Sequence, residues 1–270
     1  LVSAREIQVM KAPGEQGRYS RTRVRKALLH FLLGKAFSGA SNFLVLVILV
    51  RSMVPGDYGT YVSLLAIMMI ALAFSSLGIE PTIERFLPEL RVTRGDAEVD
   101  TFVLGGLLLR LASLVVAALL LWALLDIVTR SFGLDHAKNA IQLFLAVIVM
   151  TGVLNTLVAI LDSLLLQQPS QVTTATHAIV RLTGASMMVL GAGVSLIGVV
   201  WMELAAASVA SSVGICFVAR SVMKRIRPSA SRGLASSLRD YRSRMIRFGS
   251  MNYIAQVFMQ AYGNDAMRLT

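Results

Sequence analysis

The chain has 270 residues, of which 56% are hydrophobic and only 15% charged, and its mean hydropathy is +0.69. Soluble globular domains carry about 25% charged residues, so this composition excludes an ordinary soluble fold. The formal net charge is +11, and the single cysteine excludes an intrachain disulfide and a cysteine-rich metal site. We therefore expect an all-α membrane protein that needs no metal and no cofactor.

Six apolar stretches are long enough to cross a bilayer, which takes about 20 helical residues. In chain order the predicted spans are 28–50, 60–79, 102–125, 141–165, 172–197 and 200–219. A seventh, more polar stretch begins near Met245 and is cut off at Thr270. The first stretch is too long for the apolar region of a cleavable signal peptide, so we expect it to be retained as a span.

These stretches divide the chain into four predicted regions. They are a basic cytoplasmic N-terminal tail (1–27), a six-helix transmembrane lobe (28–219), a basic cytoplasmic linker (220–244) and the truncated start of a second lobe (245–270). The seventh helix would otherwise end on a polar half-helix. We therefore expect the natural protein to continue for five or more further spans.

Lys and Arg residues are distributed unevenly between alternate connections. The N-terminal tail holds seven, the connection after the second span three and the one after the sixth span nine, whereas the opposite set holds only Arg51, Arg130 and Lys138. This asymmetry follows the positive-inside rule. We predict an inner-membrane protein with a cytoplasmic N-terminus, whose basic excess serves topology and attraction to anionic lipids rather than nucleic-acid binding.

Three local patterns predict how parts of the bundle pack. Within residues 80–100, charged groups alternate with Ile83, Phe86, Leu87 and Leu90, which indicates an amphipathic segment at the inner membrane surface. Tyr58 and Tyr61 stand where interfacial aromatic residues are expected. Small residues in the sixth span predict close helix packing, and they are Ala206, Ala210 and Gly214.

Three motifs follow one another along the chain. The first, at the end of span one, comprises Arg51, Pro55, Asp57, Tyr58 and Gly59. The second, after span two, comprises Gly78, Arg85, Phe86, Pro88 and Glu89. The third, at the seventh helix, comprises Ile246, Arg247, Phe248 and Gly249, followed by Asp265. In order and spacing they resemble signatures of the polysaccharide biosynthesis and export family, in its Wzx-type branch of O-antigen and capsule flippases.

The resemblance implies two pseudo-symmetric lobes of six helices around a central cavity that opens alternately to each side. It implies a transporter that flips an undecaprenyl-pyrophosphate-type oligosaccharide for O-antigen, capsule or exopolysaccharide synthesis. The partners expected from it are the lipid-linked oligosaccharide, membrane lipids, and polysaccharide polymerase or assembly proteins. This chain would supply one lobe and the beginning of the other.

Charged residues inside the apolar spans are the candidate functional residues, because each costs about 2.5–3.5 kcal/mol to insert near the centre of a span. Lys35, Arg110 and Arg181 lie on odd-numbered spans, about 10–14 Å from their predicted cytoplasmic ends at ~1.5 Å per residue. If all three face inward, they form a cationic cavity without equal acidic partners. The two guanidinium groups would then bind phosphate through paired N–H donors.

A structural interpretation of the same residues stays open. In it, Arg181 forms a hydrogen bond with Asn155, Asp162 pairs with His177, and Lys35 snorkels to the interface. We assign supporting roles at the site to four residues, which are Asn155, Asp162, Arg51 and Arg85.

Other classes of function fit parts of the pattern. A multidrug exporter of the same superfamily should carry a buried acidic residue in span one, where this chain has Lys35. A membrane-embedded polysaccharide polymerase or ligase needs acid, base or phosphate-binding groups in a sizeable outer loop, and the predicted outer connections are short. We therefore expect no catalytic residues. A passive scaffold for glycan-assembly proteins is the remaining alternative.

Overall fold

The computed structural model describes residues 21–93, 96–133, 137–191, 193–223 and 247–255, and the secondary structure within these ranges is helical. In chain order the helices are α1 (Arg21–Ser52), α2 (Pro55–Ser76), α3 (Ile79–Thr93), α4 (Asp96–Ala123), α5 (Leu125–Phe132), α6 (Lys138–Ser163), α7 (Gln167–Leu190) and α8 (Leu196–Met223). A ninth helical segment, α9, covers residues 247–255. The predicted all-α fold class is confirmed.

Several predicted regions fall wholly or partly outside the described residues. These are most of the N-terminal tail (1–20), most of the linker (224–246), and the end of the predicted second lobe (256–270), which includes Asp265. The division of the chain into these regions stays a prediction.

Within the described ranges, five helices are long and apolar enough to cross a membrane, and they are Phe31–Ser52, Pro55–Ser76, Glu98–Ala123, Lys138–Ser163 and Leu196–Ser221. They correspond to predicted spans one to four and six, which confirms a multi-pass helical bundle. α7, the predicted fifth span, is not among the five, because Gln171, His177, Arg181 and other polar residues lower its hydropathy. It packs extensively against α1 and α8. The six-helix lobe therefore stays a prediction that this packing supports.

The helix boundaries differ from the predicted ones where the backbone turns. Predicted span two covers 60–79, whereas α2 covers Pro55–Ser76. Proline is suited to the first turn of a helix, because its φ is already helical and that position needs no N–H donor. The helix ends where Leu77 (φ 49°) and Gly78 (φ 71°) both adopt the left-handed conformation. α3 then begins in a new direction.

The bundle buries two apolar clusters. The first joins α1, α2, α6, α7 and α8, and its members include Val45, Leu64, Phe144, Ala185 and Val200. The second joins α3, α4, α6 and α8, and its members include Leu87, Val103, Leu157, Ile160 and Val218. Lipid tails are as apolar as these side chains, so close packing rather than removal from water holds the spans together.

Small residues bring α8 close to α6 and α7. Ala206 and Ala210 have no exposed surface. At Gly214 an added methyl group would lie 3.3 Å from Leu157 of α6 and 3.3 Å from Thr173 of α7. The close packing predicted for the sixth span is confirmed.

α3 covers one end of the bundle, which we call the predicted cytoplasmic end and which comprises residues 77–93, 96–98 and 163–167. Its buried side chains recur every three or four residues, at Ile79, Ile83, Phe86, Leu87 and Leu90. This confirms the amphipathic helix. However, the apolar face packs on α4 and α6 instead of entering the lipid surface. Arg91 fixes the position of α3 by donating a hydrogen bond to the carbonyl of Leu164 at 2.7 Å.

At the other end, which we call the predicted outer end (residues 52–55, 123–133, 137–138, 190–191 and 193–196), α5 lies in one of the predicted outer connections. Lys138 donates a hydrogen bond to Asp126 Oδ1 at 2.7 Å. This bond and the lysine charge hold the pKa of Asp126 below its ordinary value. Because both side chains are exposed, the pair contributes little to stability.

Candidate functional site: two arginine clusters inside the bundle

Arg181 is the centre of a polar cluster that joins four helices. Its Nε and Nη2 atoms donate to Glu203 Oε1 of α8 at 3.0 and 2.7 Å, and its Nη1 donates to Asn42 Oδ1 of α1 at 2.7 Å. Tyr61 of α2 donates from its hydroxyl to Glu203 Oε1 at 2.6 Å and accepts a hydrogen bond from Arg181 Nη2 at 3.3 Å. We call these four residues the Arg181 cluster.

The Arg181 cluster keeps two N–H donors available on its accessible side. A guanidinium has five N–H groups, and the contacts above use four of them, so one N–H on Nη1 has no acceptor among the described residues. Because arginine cannot accept a hydrogen bond, Asn42 must turn its oxygen toward Arg181, which leaves its amide nitrogen free to donate. Asn42 is exposed, and the side chain of Arg181 is 15% exposed. A polar ligand can therefore reach both donors.

Arg110 of α4 forms a second polar cluster, which we call the Arg110 cluster. Its Nε lies 2.8 Å from Glu80 Oε1 of α3, its Nη1 donates to Ser75 Oγ at 3.1 Å, and its Nη2 donates to a backbone carbonyl of α2 at 3.4 Å. Two hydroxyl groups also donate to Glu80, from Ser76 at 2.7 Å and Thr156 at 3.2 Å. Arg110 is only 2% exposed. In this arrangement no ligand reaches its guanidinium.

The two clusters lie at different levels of the bundle. Both use α2, where Tyr61 and Ser75 are about 21 Å apart at ~1.5 Å per residue. The prediction that Arg110 and Arg181 share one depth is therefore wrong, and so is the prediction that they lack acidic partners. The helices are staggered along the bundle axis. Residues counted from the end of each helix do not measure a common depth.

Lys35 belongs to neither cluster. It is exposed on α1, and its Nζ lies 5.7 Å from the centroid of the Phe31 ring. Lys35 and Asn42 are two helical turns apart, so they share one face of α1 at a spacing of about 10 Å. Arg51 is also exposed, in the last turn of α1 at the predicted outer end.

Residues of the second and third motifs meet at the predicted cytoplasmic end. The guanidinium carbon of Arg85 lies 5.0 Å from the ring centroid of Phe248 and 5.9 Å from that of Phe86. The two rings pack edge to face with centroids 5.6 Å apart. Next to them, the backbone of Gly78 contacts that of Gly249 with no room for a side chain between them. Arg85 therefore joins α3 to α9 and takes no part in either arginine cluster.

The structure separates Asn155 and Asp162 from the partners predicted for them. Arg181 donates to Asn42, Tyr61 and Glu203, and Asn155 is an exposed residue of α6, so the predicted Arg181–Asn155 bond is wrong. Asp162 Oδ1 is buried and accepts no hydrogen bond within the described part of the chain. None of the ion pairs of the described residues joins Asp162 to His177, so the predicted pair is wrong.

Asp162 does influence a nearby carboxyl group. Partial burial, followed by the charges of Asp162 and Glu80, raises the pKa of Glu84 above its ordinary value. These acidic residues approach one another near the predicted cytoplasmic end. Among the described residues, no group of three or more His, Cys, Asp or Glu side chains is placed to hold a metal ion.

Several residues of the clusters carry little signal in the sequence. Tyr61, predicted as an interfacial aromatic residue, is only 2% exposed and bonds to Glu203 instead. Glu80 lies in the segment predicted to follow the membrane surface, but the left-handed turn at Leu77 and Gly78 brings it beneath Arg110. One signal was available: a buried charge is destabilising unless a group of opposite charge compensates it, and Glu203 in the predicted sixth span is such a group for Arg181.

Helices that are long and apolar enough to cross a membrane, in a bundle that also buries arginine–carboxylate pairs, define a multi-pass α-helical membrane protein. Residues 24–267 match the family described as "Polysaccharide biosynthesis protein", and the chain belongs to this family. Its members are generally transporters. No curated protein and no solved structure matches the chain.

Proposed function

We propose that the protein is a Wzx-type flippase, which carries an undecaprenyl-pyrophosphate-type oligosaccharide across the inner membrane for the synthesis of surface polysaccharide. The observation that carries this proposal is the pair of N–H donors that Arg181 and Asn42 expose within the membrane-spanning bundle. Sugar hydroxyl groups and phosphate oxygens accept hydrogen bonds from such donors, whereas lipid tails do not. Membership of the polysaccharide biosynthesis family supports the same substrate class.

The charges in the bundle suggest where each part of such a substrate binds. Glu203 compensates the charge of Arg181, so the Arg181 cluster suits neutral sugars better than a pyrophosphate. Lys35 has no carboxylate partner among the described residues and lies on the same face of α1, toward the predicted cytoplasmic end. We assign the pyrophosphate to Lys35 and the first sugars to Arg181 and Asn42. In this proposal Arg110 has a positioning role, holding α2, α3 and α4 together.

The proposed transport cycle uses alternating access. Residues 28–219 form one lobe, residues 245–270 begin a second, and the two lobes rock to open the cavity first to the cytoplasm and then to the outside. The positive-inside asymmetry supports a cytoplasmic N-terminus. A polysaccharide polymerase and assembly proteins would receive the glycan on the outer side. The family's general transport role favours this cycle over catalysis by a polymerase or ligase.

The test measures flipping of a fluorescent lipid-linked oligosaccharide by the full-length protein in proteoliposomes. Asn42→Asp keeps the acceptor for Arg181 but removes the amide donor, and Lys35→Gln removes the exposed cation. A hydrogen bond to a charged group contributes about 1.5–3 kcal/mol, so Lys35→Gln should slow flipping about 10- to 100-fold. Asn42→Asp should also impair flipping while the protein stays folded. Arg130→Gln, at an exposed site of the predicted outer end, is the matched control.

The results distinguish the proposed function from its alternatives. Flipping at the wild-type rate in both variants would contradict the assigned substrate contacts. Export of cationic dyes without oligosaccharide flipping would indicate a multidrug exporter. Glycan elongation or transfer by the purified protein would indicate a polymerase or ligase, and no turnover together with tight binding of assembly proteins would indicate a scaffold.

A further inference from the structure

An apolar groove runs between α4 and α8 near the predicted cytoplasmic end. Its volume is about 170 Å³, and its lining includes Val103 and Leu107 of α4, Leu157 of α6, and Val218 and Ala219 of α8. α4 and α8 both pack against α6 but make little contact with each other, so Leu157 forms the floor of the groove. The groove is separate from both arginine clusters.

The groove opens toward the lipid side of the bundle. Leu104 and Ile215 stand at its two edges and are 58% and 49% exposed. Among the candidate spans, α1 and α4 have the least covered apolar parts. In each of the two, 17% of the residues are buried inside the protein. An empty groove would leave its lining without van der Waals partners on one side. A flexible hydrocarbon chain from the bilayer supplies those partners.

Two charged residues lie near the groove: Asp100 belongs to its lining, and Arg220 is the next residue along α8 after the lining residue Ala219. Arg220 follows Ala219 directly and is exposed in the last turn of α8. An exposed arginine in the last turn of a span is long enough for its guanidinium to reach the lipid phosphates. Asp100 borders the groove on the α4 side and takes part in an interaction within the protein. Its carboxylate would repel a phosphate, which favours a headgroup position on the α8 side.

We propose that this groove is a binding site for one anionic phospholipid of the inner leaflet, with an acyl chain between α4 and α8 and its phosphate at Arg220. Anionic lipids are enriched in the cytoplasmic leaflet, where the positive-inside rule puts this end of the bundle. The bound chain would fill the space between two spans that do not pack on each other. The proposal does not depend on which substrate the protein carries.

The test is native mass spectrometry of the full-length protein purified in a mild detergent, because the mass of each retained lipid identifies it. We expect one anionic phospholipid on the wild-type protein. Ala219→Phe fills the groove and should abolish binding of this lipid. Val116→Phe, at an exposed site in the other half of α4, should not change lipid binding. Arg220→Gln should reduce the preference for phosphatidylglycerol over phosphatidylcholine about five-fold, the value of one basic residue near a membrane surface. Arg130→Gln should leave this lipid preference unchanged.

Three results would overturn the proposal. They are no lipid on the wild-type protein, lipid retention that Ala219→Phe does not change, and a retained polyprenyl phosphate in place of a phospholipid. A photo-crosslinker at Ile215 provides a check that does not depend on the filling variant. It should label phospholipid, and labelling of another part of the protein would show that the groove is a helix interface.

Discussion

Substitutions of Arg110 and Glu80 test whether Arg110 stabilises the fold or contacts the substrate. Removing one member of a buried ion pair leaves an uncompensated charge and destabilises a protein by about 3–5 kcal/mol. The side chains of Arg110 and Glu80 are 2% and 17% exposed, so this range applies to them. We therefore expect Arg110→Leu and Glu80→Leu each to lower the free energy of unfolding by about 3–5 kcal/mol.

The double variant Arg110→Leu/Glu80→Leu should recover most of this loss, because its neighbours have other acceptors. Ser75 also donates to a carbonyl of α2 at 3.2 Å, and Thr156 also donates to a carbonyl of α6 at 3.0 Å. Only Ser76 loses its hydrogen-bond partner, at a cost of about 1 kcal/mol. The double-mutant cycle should then give a coupling energy of about 5–9 kcal/mol, the sum of the two single losses less the loss in the double variant.

The measurement is unfolding of the purified variants in detergent, followed by intrinsic fluorescence, together with the rate of oligosaccharide flipping. Arg130→Leu, at an exposed site, should stay within about 0.5 kcal/mol of the wild type. Native stability of Arg110→Leu combined with lost flipping would refute the reasoning, because it would show that Arg110 contacts substrate in another conformation.

Two further predictions concern the backbone and the topology. Gly78→Ala should lower the free energy of unfolding by about 1–3 kcal/mol in the same assay, because φ is 71° and α9 leaves no room for a methyl group. Gly59→Ala, in a helix with open space around the glycine, should be neutral or slightly stabilising, and equal losses would contradict this account. In a cysteine-free background, single cysteines at Ser229 and Ser131 should react with an impermeant reagent from opposite sides of the membrane. Labelling of the cysteine at position 229 in intact cells would contradict the predicted cytoplasmic position of this residue.

The spans could be predicted from the sequence because their signal is local. A run of about 20 apolar residues is recognisable without knowledge of its neighbours. The end of α2 could not be predicted so well, since Leu77 leaves the helix only by adopting a left-handed conformation that its sequence does not require. α7 is difficult to predict from the sequence for a different reason. Its polar residues weaken the local signal, and its place between α1 and α8 is a property of the whole bundle.

The identity of the charged residues inside the bundle was determined by the sequence alone, but their partners were not. Arg110 and Glu80 are 30 positions apart in the sequence, and Arg181 meets Asn42 across 139 positions. Which side chains meet depends on the stagger, rotation and neighbours of each helix. A buried charge without a partner destabilises a protein, and in the folded bundle Arg110 and Arg181 each have a carboxylate partner. The packing around these pairs encloses Arg110 and leaves Arg181 accessible.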